Sequence, residues 1–110
     1  MTRPVLVLLF LFFAGPGDGD KKGRQGNALY ESEKYQEAAA AYAEGLADEA
    51  ELPAQVRYGL HNNLGAALHQ SGDYDAAQGA FDQALALAAT DADYARASYN
   101  AGNNAVAREQ

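Results

Sequence analysis

The chain has 110 residues and a formal net charge of −7 at neutral pH, from 8 Lys and Arg against 15 Asp and Glu. An acidic balance of this size lacks the basic stripe that phosphate neutralisation requires, so no nucleic-acid partner is expected, nor electrostatic docking on an anionic bilayer. With no Cys at all, a disulfide framework, a thiolate metal site, a cysteine nucleophile and a lipid-acceptor cysteine are excluded.

Residues 1–19 read as a leader. Arg3 gives a short basic start, Val5 to Phe13 (VLVLLFLFF) is an unbroken apolar run, and Ala14, Gly15, Pro16, Gly17, Asp18 and Gly19 form a small-residue exit. That order is the pattern of a secretory signal peptide. The run is short for a bilayer span, which takes roughly 20 apolar residues. The expectation is export to the periplasm or cell envelope, with a cut between Ala14 and Gly19. The alternative is an uncleaved anchor, and the membrane would then be met only through this N-terminal segment.

Beyond the leader one pattern is written twice. Gly26 is followed by Tyr35, Ala38, Tyr42, Gly45 and Leu46, and Gly65 by Tyr74, Ala77, Phe81, Ala84 and Leu85 at identical spacings. A third start is Gly102, so the period is 39 and then 37 residues. Each copy predicts two helices and a tight turn, because Tyr74, Ala77, Phe81, Ala84 and Leu85 recur at three- and four-residue steps and make one apolar stripe. Gly72 with Asp73 supplies the break and cap between the helices of the second copy. Pro53 is placed in the first turn of the next helix, and Thr90 to Asp93 fits a capping box that opens the third copy. Gly26 and Gly65 are expected to let a paired helix approach closely, and Ala38 and Ala77 to make room for the rings opposite. The architecture is therefore an all-α helical-hairpin solenoid over residues 20–110, with repeats at about 20–52, 53–90 and a partial 91–110. The half copy at the end reads either as a cap or as part of a longer array. In the second case the face carrying Tyr94 and Ala101 should be sticky and the chain should self-associate.

The series of glycine, tyrosine, alanine, aromatic and alanine-leucine resembles the tetratricopeptide repeat, over about 85 residues from Lys22 to Ala107. His61 stands where that family often opens its first helix with a large aromatic, and the period exceeds the usual 34 residues. The run GNALYESEKYQEA after a leader, with the later LGAAL and YNAGNNA, is also similar to exported proteins of the Bacteroides aerotolerance operon. That second resemblance implies von Willebrand factor A-type proteins at the cell envelope as partners.

The tetratricopeptide resemblance implies a concave groove, lined by the first helix of each copy, that takes a peptide. By register the groove positions are Arg24, Asn27, Tyr30, Asn62, Asn63, His69, Arg96, Tyr99, Asn100 and Asn103. An asparagine amide can donate to and accept from a peptide backbone at once. Asn27, Asn63 and Arg96 coincide with positions of the family's clamp for a C-terminal carboxylate, but Gly23 and Asn100 stand where cations are expected. The structural positions are Gly26, Tyr35, Ala38, Tyr42, Gly65, Tyr74, Ala77, Phe81, Ala84 and Gly102, with Tyr35, Tyr42 and Tyr74 assigned to the core. His61 and His69, eight residues apart, have no third ligand at metal spacing. The acidic group Glu44, Asp48, Glu49 and Glu51 reads as a solvated face. No nucleophile–base pair or phosphate loop is present. The sequence thus points to a protein without catalytic residues, cofactor or metal: an exported scaffold or assembly factor that binds a protein or peptide in its groove. The alternative is a structural segment that stacks on itself through its open end.

Overall fold

The structure, a computed structural model, describes residues 7–12 and 18–110. Apart from Asp18 and Gly19, the basic start and small-residue exit of the expected leader lie outside the described residues, as does most of its cleavage region. Five α-helices follow one another: α1 (Asp18–Glu31), α2 (Tyr35–Gly45), α3 (Ala54–Gln70), α4 (Tyr74–Leu87) and α5 (Asp91–Arg108). A short 3-10 helix, Glu49–Glu51, fills the longer connection before α3. Each helix packs on the next, and α3 also touches α1 and α5. The first helices α1, α3 and α5 therefore form one layer, and α2 and α4 the other.

The two hairpin turns are the same backbone motif with different residues. In the second, Gly72 sits in the left-handed region at φ 84°, while the Gly72 and Asp73 amides donate to the carbonyls of His69 and Leu68 at 3.0 and 2.9 Å. In the first, Glu33 takes that place at φ 62°, and the Glu33 and Lys34 amides donate to Tyr30 and Leu29, each at 2.9 Å. These paired bonds satisfy carbonyls left open at a helix C-terminus. The motif favours glycine, so the glutamate carries backbone strain that Gly72 avoids. Asp73 caps α4 by accepting from the Ala76 amide, and Thr90 caps α5 by accepting from the Asp93 amide at 3.1 Å. Pro53, placed by the sequence in the first turn of α3, is instead the extended residue just before it, at φ −55° and ψ 145°.

The repeat glycines have a steric cause. A Cβ on Gly26 would lie 2.4 Å from the Tyr42 ring, and one on Gly65 would lie 2.6 Å from the Phe81 ring. Both rings are fully buried, as are Ala38 and Ala77. In each hairpin a ring of the second helix thus fills a notch in the first. Tyr35 and Tyr74, assigned to the core from spacing, are only half-buried, because they open the second helices at the rim of each turn. Gly102 departs from the pattern, since a Cβ there would meet nothing within 4 Å. Ala101 packs with Ala77 and Phe81, whereas Tyr94 is 59% exposed, so the face expected to carry both is divided. No helix among the described residues is long and apolar enough to cross a membrane.

Candidate peptide-binding groove

Residues 7–12, the middle of the apolar run, cross the layer formed by α1, α3 and α5. Four asparagines hold this segment by its backbone. Asn100 on α5 accepts from the Leu8 amide and donates to the Leu8 carbonyl, both at 2.8 Å. Asn63 on α3 accepts from the Phe10 amide and donates to the Phe10 carbonyl, both at 2.7 Å. Each carbonyl receives a second donor: Asn62 Nδ2 reaches Leu8 at 2.9 Å and Asn27 Nδ2 reaches Phe10 at 3.1 Å. Both main-chain groups of two alternate residues are thereby satisfied, which water would otherwise do.

The register of these contacts follows the repeat. Asn63 lies two residues before Gly65 and Asn100 two residues before Gly102, so equivalent positions of successive copies hold residues 10 and 8. One repeat takes one dipeptide, and a strand repeats its orientation every two residues. The segment runs with its N-terminal side at α5 and its C-terminal side at α1, where Arg24 occupies the equivalent place.

The amides are themselves fixed. Asn100 donates to Asn62 Oδ1 at 3.0 Å, Asn62 to Asn63 Oδ1 at 3.0 Å, and Asn63 to Asn27 Oδ1 at 2.9 Å, while the Tyr42 hydroxyl donates to Asn27. Asn62, Asn63 and Asn100 are fully buried, and a buried amide that lost its partners would cost about 1–3 kcal/mol. The network carries the hairpin core, through Tyr42, to the groove floor. Burial raises the Tyr42 phenol far above its usual pKa, so the hydroxyl stays a donor even in alkaline solution where a free phenol ionises.

Two rings of the segment enter the layer. The Phe10 ring lies over Gly59, where a Cβ would come within 2.2 Å of it, and the Phe12 ring over Gly23, where a Cβ would come within 2.5 Å. The two rings meet edge to face at 5.1 Å, and Phe10 meets Tyr58 likewise at 5.7 Å. The Arg96 guanidinium stands 5.6 Å from the centre of the Phe10 ring. Its place is set by bonds to Asp93 at 2.9 Å and to the Tyr58 hydroxyl at 3.1 Å; Tyr58 in turn donates to the Asp93 carbonyl at 2.6 Å.

Of the ten groove positions inferred from register, Asn27, Asn62, Asn63, Arg96 and Asn100 meet the segment. Tyr30 and His69, equivalent positions in successive copies, are placed otherwise. Tyr30 accepts from Gln70 of α3 at 3.2 Å and packs edge-on against Tyr35; His69 is buried, 3.0 Å from Asn104 of α5 and against Tyr74. Both tie one first helix to the next, because they lie near the C-terminal ends where the layers close. Tyr99 is about half exposed, and Arg24 and Asn103 are half-buried and engaged. At the clamp positions, Asn27 meets a main-chain carbonyl and Arg96 a ring, rather than a terminal carboxylate. Gly23 and Asn100, which depart from the clamp, are a ring seat and a backbone clamp. Tyr58 and Gly59 carry no signal of their own, since register pairs Gly59 with Asp20 and Arg96. In the acidic group Glu44 pairs with Lys22 at 2.7 Å and Glu49 with His61 at 2.6 Å.

Residues 58–91 match the tetratricopeptide repeat family, a stretch that takes in α3 from Tyr58, all of α4 and the start of α5. With the hairpins described above, the fold is all-α and of the tetratricopeptide type. That repeat is characteristic of protein–protein interaction modules, which are typically non-catalytic. No curated protein and no solved structure matches the chain.

Proposed function

We propose that this chain is a non-catalytic, exported scaffold or assembly factor whose concave layer binds an extended segment of another polypeptide through its backbone. The observation that carries the reading is the pair of two-way clamps, Asn63 on Phe10 and Asn100 on Leu8, at equivalent positions of successive repeats. Clamps on N–H and C=O accept many sequences while demanding an extended conformation, which suits a scaffold. Export rests on the leader pattern, and the resemblance to the aerotolerance-operon proteins supports von Willebrand factor A-type envelope proteins as the source of the bound segment.

Amide hydrogen exchange on the full chain tests the clamps. The Leu8 and Phe10 amides should be protected, and Asn63→Ala with Asn100→Ala should bring both to the rate of unstructured chain while α2 and α4 keep their protection. Equal exchange at Leu8 and Phe10 in the two proteins removes the groove from consideration. Self-stacking through α5, where Tyr94 and Val106 are 59% and 58% exposed, then becomes the better reading, checked by sedimentation.

A further inference from the structure

We infer that the groove selects an extended apolar segment bearing aromatic side chains two residues apart, and that residues 7–12 occupy it in cis as an internal competitor for such a partner. The inference rests on the groove reading above and adds to it the chemistry of the ligand and the reason the site is filled.

Backbone clamps alone would set no side-chain preference. The preference comes from Gly59 and Gly23. Each sits on a helix facing the segment, and each is closed to any larger residue by a ring only 2.2 or 2.5 Å from where its Cβ would be. Glycine in a helix interior costs about 0.5–1 kcal/mol relative to alanine. A glycine at these two positions is explained by the ring it admits. The seats also match the clamps in period. With residues 8 and 10 held by the main chain, the rings of residues 10 and 12 turn inward onto Gly59 and Gly23, while Leu8 is 37% and Leu11 71% exposed. The first seat is built for an aromatic: the Tyr58 ring stands nearly perpendicular to Phe10 and the Arg96 guanidinium lies over the Phe10 ring, contacts that an aliphatic side chain would not gain. The second is deeper, and Phe12 is 91% buried in the cluster of Tyr42, Val56 and Leu60.

Residues 7–12 therefore display the ligand the groove accepts. Tethered by residues 13–17, they are present at an effective concentration on the order of millimolar, so a partner must outcompete them. A chain cut between Ala14 and Gly19 would lose both rings and all four clamped main-chain groups. The groove would then be open, coupling removal of the leader to partner binding.

The test uses the full chain with Phe10→Ser and Phe12→Ser, its helicity checked by circular dichroism, and two fluorescein-labelled peptides flanked by lysine pairs, VLLFLF and VLLALA. The substituted chain should bind the aromatic peptide at least tenfold more tightly than the unsubstituted chain does, and at least tenfold more tightly than it binds VLLALA. Adding Gly59→Ala should remove that preference without lowering the melting temperature. Equal binding of the two peptides overturns the aromatic selection and leaves the groove reading standing; binding of neither overturns both. Equal affinity of the substituted and unsubstituted chains for VLLFLF overturns the cis competition. Should the substituted chain lose helicity, the unsubstituted one decides: saturating VLLFLF should move the Leu8 and Phe10 amide resonances to unbound positions and VLLALA should not. No displacement by either peptide also counts against the inference.

Discussion

The hairpin seams and the concave layer use the same device, an aromatic ring set into a helix at glycine, for different ends. In the seams, Gly26 receives Tyr42 and Gly65 receives Phe81, rings from the second helix of the same hairpin. In the concave layer, Gly59 and Gly23 receive Phe10 and Phe12 from a segment outside the repeats. A seam ring cannot leave without separating two helices, whereas a groove ring can leave with the six-residue segment that carries it. Under the proposed function the same contact belongs to folding in one place and to binding in the other.

The largest effect should separate the two kinds of ring. Phe81→Ala removes a fully buried ring and should destabilise the fold by about 3–5 kcal/mol, the usual cost of such a truncation. Phe10→Ala can cost no more than undocking the segment, and the chemical denaturation midpoint should move far less. Similar losses for both variants would make residues 7–12 part of the folding unit. The glycines should divide in the same way. Gly65→Ala drives a Cβ into the Phe81 ring, between Tyr74–Leu87 and the first helix, and should cost about 1–3 kcal/mol by overpacking. At Gly59→Ala the gain in helix propensity, about 0.8–1 kcal/mol, opposes the loss of one docked ring. Thermal stability should hardly change while the Leu8 and Phe10 amides lose their exchange protection.

How far the sequence disclosed these regions follows from their origin. The seams were legible because glycine and ring are sixteen residues apart in both copies, so Gly26 with Tyr42 and Gly65 with Phe81 repeat as pairs. Asn63 and Asn100 were legible for the same reason, as equivalent positions on first helices. Gly23, Tyr58 and Gly59 were not. Their partners, Phe12 and Phe10, lie in an apolar run that reads as a leader, and nothing periodic connects a single segment to three repeats. His69 meets Asn104 and Tyr74 rather than the segment, because register finds the helix face but not how far along the helix a contact extends.

A smaller effect, in alkaline solution, should distinguish the buried phenols from the free ones. Burial raises Tyr30 to about 12 and also raises Tyr42 and Tyr58. A phenol whose pKa is higher in the folded chain keeps its proton there after the unfolded chain, near 10, has released it. Stability should be independent of these groups below pH 10 and should fall as pH rises above it. Urea midpoints at pH 9, 10 and 11 check this. Tyr42→Phe should flatten the decline at the seam while lowering stability at pH 7 by about 0.5–1.5 kcal/mol, the hydrogen bond to Asn27 being lost.

The third copy supplies the smallest change and the cleanest contrast. Gly102 stands at the register of Gly26 and Gly65, on α5, but no ring is set against it and it is exposed. If the repeat glycines exist to admit a ring, one without a ring gains nothing for this fold and bears only the entropic cost of glycine in a helix. Gly102→Ala should therefore stabilise the chain by about 0.5–1 kcal/mol, raising the thermal midpoint where Gly65→Ala lowers it. It should also leave the Leu8 amide protected, since Asn100 lies two residues earlier on the buried face of the same helix. A Gly102→Ala variant that lost stability would mean that a ring from another polypeptide, or from a second copy, rests there in solution. The open register on α5 would then be a further seam rather than a bare helix face.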